Sequence, residues 1–106
     1  MKKSLTKRIL FPILSESKTV HAIWDDSHPD CQRAKQDKLI AVVRMDNKEQ
    51  YTIYLSPIYP MIKDVLAGPN VKYKEMVLNS IIDIIALEHI MTQPDRDIIF
   101  VKNLYN

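Results

Sequence analysis

The chain has 106 residues, 46% of them apolar and 26% charged, with a formal charge of +2 and a pI near 8.7. That length and balance describe a single domain with its own core and exclude a disordered tail. One cysteine rules out an internal disulfide and fits a reducing compartment, one glycine rules out the phosphate-cradling loops that need several, and the mild charge falls short of a dedicated nucleic-acid module.

Met1 to Arg8 (MKKSLTKR), followed by the apolar Ile9 to Leu14, has the outline of a secretory leader. The apolar run is too short, Pro12 breaks it, and no small-residue cleavage site follows. Residues 1–7 therefore read as a flexible basic tail before a strand over Arg8 to Leu14, which Pro12 marks as a sheet edge. Ser15 to Lys18 is a turn, and Thr19 to Trp24 (TVHAIW) returns as the second strand of a hairpin. Asp25 to Asp30 is a polar loop, with Asp30 placed to cap a helical turn from Cys31 to Lys35. Leu39 to Met45 is a strand, Asp46 to Glu49 a turn, and Gln50 to Leu55 another strand. In this last strand Tyr51, Ile53 and Leu55 share one face, and Gln50, Thr52 and Tyr54 the other. A short helix from Ile58 to Ala67 is expected to end on Gly68 in a left-handed cap, just before Pro69.

Val71 to Thr92 (VKYKEMVLNSIIDIIALEHIMT) is the longest periodic segment and reads as the core helix. Asn70 sits at the N-cap position, and Pro94 stops the chain two residues past the end. Lys72, Glu75, Asn79 and Asp83 share one polar stripe. The remaining circumference holds Tyr73, Met76, Val77, Leu78, Ile81, Ile82, Ile84, Ile85, Leu87, Ile90 and Met91, so burial on more than one side is expected. Asp83 and Glu88 interrupt the apolar run and argue against a membrane span. Asp97 to Lys102 (DIIFVK) is a terminal strand. The order ββββααβ defines one α+β domain over residues 1–106, with a mostly antiparallel sheet of about five strands. One long buried helix and one short helix would lie on one face of it.

Signals for chemistry are sparse. His21, His28 and Cys31, within HAIWDDSHPDC, are the ligand types of a transition metal, and with one they would support a small metal-dependent hydrolase. Their spacing matches no zinc pattern, and Asp25, Ser27, His28, Pro29 and Asp30 equally suit a turn and a helix start. Cys31 with His28 or His21 as base has the composition of a thiol nucleophile without any signature around it. Lys2, Lys3, Lys7 and Arg8 are the natural phosphate contacts of a nucleic-acid-binding alternative. Trp24, Tyr51, Tyr54, Tyr59 and Met61 are residue types that anchor protein interfaces, with Glu88 and His89 where the core helix would emerge. P-loop, dinucleotide, G-x-S-x-G and H-E-x-x-H motifs are absent. The balance favours a small non-catalytic, cytoplasmic protein-binding module, such as an inhibitor or accessory protein of a bacterium, phage or mobile element. Its expected partner is another protein or a second copy of itself, with no cofactor and no membrane contact.

Overall fold

The computed structural model describes residues 3–105, which run in the order ββαββααβ. Strand β1 (Ser4–Phe11) and strand β2 (Glu16–Ile23) form an antiparallel hairpin. The hairpin is closed by a 3-10 turn over Pro12–Leu14, and Ser15 at φ 52° reverses the chain. Proline's fixed φ suits the first position of such a turn, so Pro12 ends β1 rather than lying inside it. Residues 4–7, expected in a tail, are instead the first half of β1. Their alternation points Leu5 and Lys7 toward the helix layer, where Lys7 Nζ meets Asp83 at 2.7 Å.

Helix α1 (Pro29–Gln36) follows, and carries the chain across the sheet to strand β3 (Ala41–Asn47) and strand β4 (Gln50–Leu55). Helix α2 (Pro60–Ala67), helix α3 (Val71–Ile85), a π-helical stretch (Ala86–Ile90) and strand β5 (Ile98–Val101) complete the chain. The sheet order is β1-β2-β4-β3-β5. Only the β2–β4 pairing is parallel, made possible because α1 and the returning strand β3 lie between the two in the chain; the other three are antiparallel. The α+β class and the mostly antiparallel five-stranded sheet agree with the sequence reading.

The main core lies between one sheet face and the α2–α3 layer. Phe11, Val20, Ala22, Val43, Tyr51, Ile53, Leu55 and Val101 meet Ile62 and Val65 of α2 and Leu78, Ile81, Ile82 and Ile85 of α3. Each of those four α3 side chains contributes about 1.5–3 kcal/mol relative to exposure, more than intrinsic propensity supplies to the helix. The second sheet face is covered in part by α1, where Ala34, Leu39 and Val42 form a smaller cluster with Tyr54 and Ile98. The helices are thus divided between the two faces.

The termini of the helices obey local rules. Asn70 Oδ1 accepts from Tyr73 N at 3.0 Å, so the expected cap of α3 is present. Gly68 is extended (φ −71°, ψ 153°), not left-handed as expected. The left-handed helix end belongs to α1, where Lys38 has φ 57° and Leu39 N reaches back to Ala34 O at 2.8 Å. α3 widens before Pro94: Met91 N bonds Ala86 O at 2.9 Å, Thr92 Oγ1 donates to Glu88 O at 2.8 Å, and Gln93 Nε2 to His89 O at 3.2 Å. Those side chains satisfy carbonyls that a helix end leaves open.

Candidate interaction surfaces

The aromatic residues expected to anchor an interface lie mostly inside. Trp24 and Tyr51 belong to the main core, and the Tyr51 hydroxyl donates to Pro94 O at 3.3 Å. Tyr54 is half-buried beside α1, its ring stacked on His28 at 4.4 Å between centroids. Tyr59, at the N-cap position of α2, and Met61 pack against the main core. His89 is buried, and its Nε2 lies 2.9 Å from Asn103 O and 3.0 Å from Leu104 O. Both partners are carbonyls, so Nε2 carries the proton and ties the last described residues to the π-helical stretch. Glu88 is half-buried in the same stretch.

The His21–Cys31 segment is not drawn together into a ligand set. His21 turns toward the Thr6 hydroxyl on the neighbouring strand. His28 Nδ1 accepts from Asp30 N at 3.2 Å as the cap of α1, and Asp30 pairs with Arg44 through contacts of 2.6 and 3.2 Å. The Arg44 hydrogen bond holds the Asp30 carboxyl below the usual range. Cys31 is buried, its Sγ donating to Ile23 O at 3.5 Å, and burial pushes the thiol up to about 11. A thiol so protonated is no nucleophile near neutral pH. Among the described residues no three His, Cys, Asp or Glu side chains are grouped to hold a metal ion. His28 and Cys31 start α1 and fasten it to the sheet.

The basic residues near the start are also separated. Lys2 lies outside the described residues. Lys7 faces α3, whereas Arg8 faces the opposite side and bonds Thr19 Oγ1 and Ser17 O, both at 3.2 Å. Consecutive strand residues point to opposite faces, so Lys7 and Arg8 do not make one phosphate-binding patch. Lys18 is a buried cation that sequence pattern did not single out. Its Nζ meets Glu16 at 2.9 Å and Lys48 O at 2.5 Å, and lies 5.9 Å from the Tyr51 ring centroid. Burial, the largest single influence, lowers its pKa, but Glu16, Tyr51 and Glu49 together outweigh it and the net direction is upward. Lys18 is therefore held as a structural cation, not poised as a base or nucleophile.

What remains exposed is the outer side of α3. Tyr73, Met76 and Leu87 are exposed, at 53%, 61% and 36%, with Ile84 and Val77 half-buried beside them. Tyr73, Met76, Ser80, Ile84 and Leu87 recur at helical spacing and form one stripe opposite Leu78, Ile82 and Ile85. The stripe is about 21 Å long at the helical rise per residue. Burial of α3 on several sides, expected from its apolar circumference, does not occur, because a helix lying on a single sheet buries one side against it. The signal for this surface was present in the sequence as an excess of apolar residues beyond one core stripe.

Comparison of the chain with protein families, with curated proteins and with solved structures finds no match. Among the described residues no helix is long and apolar enough to cross a membrane.

Proposed function

We propose that this chain is a non-catalytic protein-binding module that receives an amphipathic helix of another protein on the outer face of α3. The observation that carries this reading is the solvent-facing apolar stripe Tyr73, Met76, Ser80, Ile84 and Leu87. Extended apolar surface of this kind is a usual mark of an interaction site. Ser80, small and central, lets a second helix approach to the usual 8–10 Å interaxial distance (an approximate range), while Tyr73 and Met76 are anchor types on the same ridge. Lys72 and Asp83 along one flank and Lys74 along the other supply a mixed polar rim. A cytoplasmic setting agrees with the single unpaired cysteine. The chain would then act as an inhibitor or accessory protein by occupying its partner's helix.

A photo-crosslinking residue at position 80 tests this directly, with one at the exposed Gln36 of α1 as control. The expected result is a discrete adduct from position 80 that is lost in Met76→Glu/Leu87→Glu, whose thermal stability stays within about 0.5 kcal/mol of the parent, as for other surface changes. An adduct formed equally well by the double variant would refute the reading. A dimer that dissociates in the double variant would identify the partner as a second copy.

A further inference from the structure

The outer edge of β5 has the makings of a second site. β5 closes the sheet and is bonded to β3 alone among the described strands. The carbonyls of Asp97 and Val101 accept from Met45 N at 2.9 Å and Ile40 N at 2.8 Å, so the odd-numbered residues of this segment face β3. Alternation along an antiparallel ladder then turns the N–H and C=O groups of Ile98 and Phe100 outward, at the spacing that accepts another strand.

An open groove of about 470 Å³ runs beside this edge, lined by His89, Gln93, Arg96, Phe100, Lys102 and Tyr105 together with neighbouring β5 residues. Its described lining contains Arg96 and Lys102 and no aspartate or glutamate; Asp95 and Asp97 flank Arg96 in sequence but do not line it. Arg33, reaching over from α1, adds a guanidinium 4.7 Å from the Phe100 ring centroid, although it also lies 3.7 Å from Asp37. Phe100 and Tyr105 are exposed, at 45% and 65%. Backbone donors and acceptors, three cationic side chains and two exposed aromatic residues therefore converge on one edge.

We infer that the β5 edge takes an extended, acidic peptide segment as an added strand, its main chain pairing with Ile98 and Phe100 and its carboxylates meeting Arg96 and Lys102. This is strand addition of the kind in which backbone bonds give affinity and side chains give selectivity. A nucleic acid would meet the same cations and rings, but its phosphates bring only acceptors to an edge that also presents outward carbonyls. The site shares no residue with the α3 stripe and stands or falls separately from it.

Amide exchange on the isotope-labelled full chain tests the inference, with a short acetylated peptide alternating glutamate and valine as probe. That peptide is expected to bind saturably and to slow exchange at Ile98 and Phe100 by about tenfold or more, with smaller changes at Ile99 and Val101, which β3 already protects. Arg96→Glu/Lys102→Glu should weaken binding by about tenfold or more, with loss of charge-assisted contacts. Phe100→Pro removes an outward N–H together with the Phe100 ring and should also weaken it, more than Phe100→Ala, which removes the ring alone; should the proline variant fail to fold, the charge variant still decides. On the other sheet edge, Trp24 N bonds Lys3 O at 3.0 Å, which turns Thr6 and Arg8 outward. Protection appearing at Thr6 and Arg8 instead, or at neither edge, would overturn the inference. So would tighter binding of the matching lysine–valine peptide or of a short oligothymidylate.

Discussion

Cys31 owes its chemistry to burial. Its thiol, ordinarily near 9.0, is pushed to about 11 because the thiolate would have to form beneath α1, away from water. In the native state it should resist a disulfide reagent at pH 8 and react in full once the chain is unfolded in urea; rapid native reaction would contradict its place beneath α1. The sign of the pH dependence follows. Above pH 9.0 the unfolded chain sheds this proton before the folded one does, so the thiol's contribution to stability falls as pH rises from 9.0 toward about 11. Asp30 works in the opposite direction. Its carboxyl is lowered from 3.8 by Arg44, so its stabilising contribution is present above pH 3.8 and is lost as pH falls through the folded value. Urea midpoints measured across both ranges, with Cys31→Ala and Asp30→Asn as references, would show the two slopes flatten. The ligand types in HAIWDDSHPDC were legible from sequence, but their convergence was not. Strand alternation sends His21 toward Thr6, while helix capping uses His28 and burial beneath α1 uses Cys31.

At the scale of elements, what local chemistry dictates was readable and what packing dictates was not. Asn70 before an apolar periodic run reads as a cap, and it is one. Tyr51 and Tyr54 alternate as a strand requires, but a single sequence does not announce that α1 crosses over to cover the Tyr54 face. α1 read from sequence only as a helical turn from Cys31 to Lys35 capped by Asp30, whereas it is a helix capped by His28; its eight residues and its small or polar buried members, Asp30, Cys31 and Ala34, gave no longer apolar period. Gly68 attracted the left-handed cap by residue type, yet the neighbouring Pro69 restricts it to the extended region it occupies. The left-handed position fell to Lys38, where a Cβ is strained. Lys38→Gly should therefore raise stability by about 0.5–1 kcal/mol, the relief of backbone strain exceeding the added freedom of the unfolded chain. Denaturant unfolding checks this, and a fall in stability would mean that the lysine stem makes packing contacts worth more than the strain.

For the whole molecule, the two sides of the sheet are unequal. The α2–α3 side buries a large contiguous core, whereas the α1 side rests on Ala34, Leu39 and Val42 and on the pair between buried Asp30 and exposed Arg44. Stability is rarely uniform when apolar contacts are so divided, and the thinner layer opens at lower free energy. α1 should therefore detach in excursions that leave β3 and β4 paired, while the amides of Tyr51 to Leu55 exchange only through global unfolding. Two truncations separate the layers. Ile82→Ala removes a fully buried side chain between α3 and the sheet and should cost about 2–5 kcal/mol. Against a typical total of about 5–15 kcal/mol, that accelerates exchange at Ile53, whose amide opens only with the whole fold, and leaves the α1 amides, which open locally, nearly unchanged. Leu39→Ala weakens the α1 cluster and should accelerate the Ala34 and Lys35 amides far more than that of Ile53. Native-state hydrogen exchange at low denaturant distinguishes the two patterns residue by residue. If Leu39→Ala accelerated Ile53 as strongly as Ala34, the layers would unfold as one unit, and α1 would be as integral to the sheet as α3.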